Sequence, residues 1–167
     1  AYGMALCLSL LGRDDEALLI FQNLVKEHEE VIAYRIGLGE TLLRIANIEG
    51  ALNLYAESVA LFPRNVPLTI SYCQILISNN ASLAHELLLD LLNNIPPTPS
   101  QIRLIARAAN AEGDIANAHY YMGEYYISTG NLSLAINQMT MALESPNINQ
   151  IDKSRFEARL KQISEYN

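Results

Sequence analysis

The sequence predicts an all-α fold: a helix-turn-helix superhelical solenoid of about ten antiparallel helices with a C-terminal capping helix. Three observations predict it. A turn-to-helix signature, Gly or Asn followed five residues later by Ala, recurs along the chain, and its alanines are Ala17, Ala51, Ala84, Ala118 and Ala135. Their spacings are 34, 33, 34 and finally 17 residues. Apolar residues recur with the helical period, and no segment alternates as a strand would. A period of 34 residues accommodates two helices of about a dozen residues each and two short turns.

The signature has a physical reading at each position. The first residue ends a helix in the left-handed region, which favours Gly or Asn. The next Asp or Asn caps the following helix by accepting from its free N–H groups. The Ala is small because two helix backbones approach there. Gly12 to Ala17 is the first copy. Ala46 to Ala51 has Ala in place of Gly, and Asn79 to Ala84 has Asn. Gly113 to Ala118 and Gly130 to Ala135 complete the set.

In chain order the expected helices are 1–11, 14–28, 31–45, 48–61, 67–78, 81–94, 99–112, 114–128, 131–144 and 150–165. Pro63 and Pro96 each lie 12 residues after a signature Ala, where a second helix stops. Ile95 to Gln101 holds three prolines and forms a rigid break. The last helix carries Phe156, Leu160 and Ile163 on one stripe, as a capping helix requires. Its Lys153, Arg155, Arg159 and Lys161 read as a solvated face. The organisation is one domain: repeats at 1–30, 31–64 and 66–97, an extra helix 99–112, a last repeat 114–146 and a cap 150–165. Helix 114–128 fits two registers, and Gly123 favours its role as the first helix of the last repeat. The 33-residue spacing leaves the register of the third repeat open by one residue.

These positions resemble the tetratricopeptide repeat (TPR) consensus W-x-x-L-G-x-x-Y, G, A-x-x-x-F-x-x-A, P. Leu38-Gly39 followed by Leu42, and Met122-Gly123 followed by Tyr126, match its first helix. Phe21 and Tyr55, four residues after their alanines, match its second. The first aromatic is absent, with Ala1, Arg35 and His119 in its place.

Composition excludes several functions. The chain has 167 residues, a formal charge of −7, 50% hydrophobic and 17% charged residues. That balance suits a folded domain and opposes nucleic-acid binding, where Lys and Arg must replace phosphate counterions. No apolar run approaches the roughly 20 residues of a membrane span. The chain opens inside a helical pattern without Met, which reads as a fragment of a longer protein. His28-Glu29 and His85-Glu86 begin an H-E-x-x-H zinc motif, but Ile32 and Leu89 stand where the second His should be. No nucleophile–base pair or phosphate loop is visible, so no catalytic residue, metal ligand or cofactor is expected. A self-contained enzyme is the disfavoured reading. Asn131-Leu132-Ser133 is a formal glycosylation sequon inside a repeat turn. Cys7 and Cys73 read as small buried hydrophobes. They lie on first helices two repeats apart, too far for a bridge, which needs Cα atoms within about 7 Å.

Partner binding is expected on the free face of each first helix. By register this face carries Tyr2, Leu6 and Ser9, then Ile36, Glu40, Leu43 and Arg44, then Ile70, Gln74 and Ile77. Its apolar members would leave a surface that takes a protein segment or another domain. Arg103 and Arg107 sit one turn apart, either as a cationic clamp for an acidic segment or as a solvated pair. Tyr120, Tyr121, Tyr125 and Tyr126 cannot all share one face, and Tyr120 reaches the groove with Glu124.

The stretch from His85 to Asn147 resembles more specifically the C-terminal TPR region of periplasmic zinc metallopeptidases, the beta-barrel assembly-enhancing proteases of Gram-negative bacteria. So do the opening AYGMALCLSLLGRDDEAL and the closing RFEARLKQI. The resemblance implies a periplasmic location and a role in outer-membrane protein assembly and quality control. It implies as partners the protein's own N-terminal protease domain and outer-membrane assembly components or clients. Zinc and hydrolysis would belong to that other domain. The alternative is a TPR adaptor or scaffold of another bacterial assembly, such as secretion or pilus biogenesis.

Overall fold

The computed structural model describes residues 1–146 and 148–165. Ten helices are present among them: α1 (Tyr2–Leu10), α2 (Asp14–Glu27), α3 (Ile32–Arg44), α4 (Ile48–Leu61), α5 (Val66–Asn79), α6 (Ala81–Asn94), α7 (Pro99–Glu112), α8 (Ile115–Ser128), α9 (Leu132–Leu143) and α10 (Gln150–Ser164). No strand occurs among the described residues. Each helix matches its expected span to within one residue at either end. No described helix is long and apolar enough to cross a membrane.

The turn chemistry explains the agreement. Gly12, Gly113 and Gly130 take positive φ, and so does Ala46 at φ 61°, the one signature where Cβ must be tolerated there. Asn47, Asn80, Asp114 and Asn131 each cap the next helix by accepting from the backbone N–H three residues on. Thr98 and Gln101 form a reciprocal capping box after the proline break. The third turn is the short one. Asn79 stays helical and Asn80 alone connects α5 to the start of α6. The missing residue is therefore in the turn. Ala5, Gly39 and Cys73 keep a spacing of 34, which fixes the register of α5.

Contacts divide the chain into two compact units, Ala1–Ile75 and Leu76–Asn167. In the first, α1 packs on α2, α2 on α3 and α3 on α4. Its core is Ala5, Ala17, Phe21, Leu24, Leu38, Leu42 and Ala51. A Cβ on Gly37 would overlap the Phe21 ring, and one on Gly39 the Tyr55 ring. The helices cross too closely there for any larger residue. In the second unit α6 to α10 pack in chain order. Gly123 meets Met139: an added Cβ would lie 2.7 Å from Cε. Gly39–Tyr55 and Gly123–Met139 have the same 16-residue offset, so α8–α9 repeats the α3–α4 hairpin. Yet α8 packs closely on α7 as well, with Ala118 buried. Both registers of the 17-residue echo are used, one on each side of α8.

Two expectations are corrected, and the role of Arg35 is settled. Cys73 is buried, but Cys7 is exposed; neither is in a disulfide. Arg35, which replaces the consensus aromatic, is 2% exposed and among the largest fully buried side chains. Its Nε donates to the Glu29 carbonyl at 2.9 Å and a terminal nitrogen to the exposed Glu57 Oε1 at 3.1 Å, so polar partners at the surface satisfy the buried guanidinium. Finally, Arg155 and Arg159 do not form a solvated face. Arg159 makes a two-point ion pair with Glu124 at 2.6 and 2.9 Å, and Arg155 donates to Asn117 at 2.5 Å. Phe156 and Ile163 are buried and Leu160 half-buried, as expected of the capping stripe.

Candidate functional site

Two clefts gather predicted groove residues, one built from α1 to α3 in the first unit and one from α5, α7, α8 and α9 in the second. In the first unit, α1 contributes Leu6, Ser9 and Leu10, and α3 contributes Gly37, Glu40 and Arg44 around a volume of about 220 Å³. Phe21 forms part of its wall. The residue types explain the wall: Gly37 lets the Phe21 ring lie directly against α3, where any Cβ would overlap it. Arg44 is held in place, donating from Nε to Asp14 Oδ1 at 2.6 Å and from Nη2 to Thr41 Oγ1 at 3.0 Å. Glu40 is exposed and has no ion pair among the described residues. Ser9 Oγ is buried without a hydrogen-bond partner among them. Beneath, burial pushes the Tyr55 hydroxyl up to about 12, and the Glu40 charge adds to this. It stays a neutral donor, reaching the Ile36 carbonyl at 3.4 Å.

Leu6, Glu40 and Arg44 are thus brought together as the sequence predicts. Tyr2, Ile36 and Leu43 are not. Tyr2 packs edge-on against Phe21 and tilted on Tyr34, with centroids 6.1 and 5.2 Å away. Leu43 packs against the first core, and Ile36 is half-buried. On α5, Ile70 is half-buried and Gln74 exposed.

The second unit has the larger cleft, about 450 Å³. Ile77 of α5 and Ala106 of α7 line it, with Ala118 and Met122 of α8. Its polar groups are Arg107, Asn110, His119 and Gln138. The His119 Nδ1–H donates to Gln138 Oε1 at 2.8 Å, tying α8 to α9. Ile77 and Arg107 sit where the sequence places a binding face. The clamp does not form, because Arg103 instead lies 5.9 Å over the Tyr125 ring. Tyr120 and Glu124 come together in a separate cleft of about 240 Å³, with Leu89, Pro97 and Ile102, where internal partners hold both. Tyr120 stacks on Phe156 at 4.5 Å under the Arg155 guanidinium, and Glu124 is taken by Arg159. Burial raises the Tyr120 and Tyr121 pKa values, keeping both rings neutral. The hydrogen bonds that Arg159 donates to Glu124 hold its pKa above the ordinary value. Sequence reasoning missed His119, Gln138 and Asn110. The available signal was the 19-residue offset of His119 and Gln138, close to the 16-residue offset that joins facing helices.

No group of three or more His, Cys, Asp or Glu side chains among the described residues could hold a metal. His85 pairs with Glu112 at 2.8 Å, away from both clefts.

A tetratricopeptide-repeat family model matches residues 1–30. The fold is similar to that of MamA (residue 41 to the end) from Desulfovibrio magneticus RS-1, with a TM-score of 0.69 at 12% identity, covering 98% of this chain and 90% of that one. A MamA RS-1 double mutant gives 0.70 at 11% identity, covering 98% and 92%. A thermophilic TPR protein of Thermus thermophilus gives 0.55 at 20% identity, covering 95% and 96%. No curated protein is similar enough in sequence to count as a relative. The fold is thus a TPR-like helical solenoid, a class whose stacked hairpins present surfaces to other proteins.

Proposed function

We propose that this chain is a protein-binding module, the non-catalytic TPR region of a periplasmic metalloprotease acting in outer-membrane protein assembly and quality control. One observation carries the binding reading: each of these two clefts keeps a charged group without an ion partner among the described residues, Glu40 in one and Arg107 in the other. Clefts of this kind, apolar with a few convergent polar groups, are what protein segments fill. The finer assignment is supported by the resemblance of His85 to Asn147 and of both ends to the beta-barrel assembly-enhancing proteases. On this reading the partners are an N-terminal H-E-x-x-H domain of the same polypeptide and outer-membrane assembly components or clients. Zinc belongs to that domain.

A second reading, an adaptor or scaffold of another bacterial assembly, is favoured by the whole-length likeness to MamA and the Thermus TPR protein, neither described as a protease. The sequence encoded upstream of Ala1 separates the two. An H-E-x-x-H helix there, with zinc-dependent casein hydrolysis by the whole polypeptide, supports the protease. Its absence overturns that assignment and leaves the adaptor. Tight zinc and turnover by residues 1–167 alone would overturn both.

A further inference from the structure

From the cleft of the second unit we infer a partner of stated chemistry: a protein segment that places an Asp or Glu on Arg107 and seats a neighbouring aliphatic side chain on the alanine floor. The inference rests on the protein-binding reading and deepens it. Its basis is charge complementarity. The chain holds 18 acidic and 11 basic residues, yet among the described residues no carboxylate lines this cleft. Its formal charge is that of Arg107, exposed and without a salt bridge to any described residue. Arg13, Arg35, Arg44, Arg155 and Arg159 all have acidic partners. Arg107 is the cation this cleft leaves for an incoming carboxylate, which it can take through a two-point hydrogen bond.

The neighbours fit the same ligand. Asn110 lies on the same helix face one turn beyond Arg107, with no side-chain hydrogen bond to a described residue. Gln138 has its oxygen occupied by His119, so its N–H groups are left for an acceptor from outside. Donors therefore outnumber acceptors around the rim. Below, the buried Ala106 and Ala118 form a small-residue floor, exposed Ala111 leaves the rim open, and Ile77 and Met122 give apolar sides. A cleft of about 450 Å³ is large enough for a Leu- or Ile-sized side chain and its neighbour.

The test is selection of a phage-displayed library of random dodecapeptides on the whole chain, followed by fluorescence anisotropy with the enriched peptides. Wild type is expected to enrich Asp or Glu within two residues of Leu, Ile or Val. R107A is expected to lose at least about tenfold in affinity, and R107E to enrich Lys or Arg instead. A111W, at an exposed position that fills the cleft, is expected to abolish binding, while R103A stays within about twofold. Circular dichroism establishes that each variant is folded. Peptides lacking acidic residues, or equal affinity for R107A or A111W, would overturn the inference while leaving a protein-binding module. Failure of wild type to enrich any peptide would defeat the protein-binding reading, and this inference with it.

Discussion

The buried arginine of the first unit offers the sharpest test of how this core is built. Arg35 is 2% exposed, while the Glu57 side chain that accepts from it is 63% exposed. Removing Arg35 therefore strands no buried charge: Glu57 returns to water. What R35A removes is a side chain packed beside Ser58 and Phe62, plus a hydrogen bond to the Glu29 carbonyl. A large-to-small change at a buried site costs about 2–5 kcal/mol. Desolvation of the guanidinium offsets part of the value of its polar contacts. R35A is thus expected to lose about 3 kcal/mol. R35M, which keeps the stem volume and drops the charge, is expected to stay within about 1 kcal/mol of wild type. E57Q, which touches only the exposed partner, is expected to cost less than about 1 kcal/mol. Urea unfolding followed by helical circular dichroism, with slopes compared across variants, measures all three. The reasoning fails if E57Q costs as much as R35A, or if R35M is as damaging as R35A. Either result would make the ion pair, and not the packed stem, what holds α3 to α4.

Further outcomes follow from other contacts. G39A, whose Cβ would overlap the rigid Tyr55 ring, is expected to lose about 2 kcal/mol or more in the same urea assay; G123A, whose tightest contact is the flexible Met139 Cε with Cγ and Sδ needing to give only slightly, is expected to lose less, about 1 kcal/mol. Ellman's reagent at pH 8 is expected to titrate one thiol, the exposed Cys7, in the folded chain and two in urea. Burial pushes the Cys73 thiol from 9.0 up to about 12 and the Tyr55 hydroxyl from 10.0 to about 12. The unfolded chain therefore ionises first, so stability is full below about pH 9, falls as pH climbs toward 12, and falls less in C73A. E124Q is expected to raise amide exchange several-fold in α10, read by mass spectrometry, with α2 and α3 unchanged.

Local chemistry makes the helices legible and long-range pairing makes the site illegible, and particular residues show why. Gly12, Asn47, Asp114 and Asn131 act on backbone groups within a few residues, so their meaning is written beside them. The one-residue gap at Asn79-Asn80 is open in sequence because either a helix or a turn can absorb a deletion. Cys73, 34 residues from Gly39, shows that the turn absorbs it. Helical register, likewise, correctly groups Leu6, Glu40 and Arg44 on one face. Register says which way a side chain points and nothing of what awaits it. Arg44 meets Asp14, 30 residues away; Glu124 meets Arg159, 35 away; Arg107 meets no described carboxylate. All three read alike in sequence, as exposed charges on helix faces. Tyr120 and Glu124 do share a cleft, as the sequence groups them, but α10 occupies their side of α8, and its arginines, which read as solvated, take them as partners. A charge on such a helical stack becomes a candidate for an external partner only after the internal ones have been accounted for. Arg107 is the cleft-lining cation that remains when that is done.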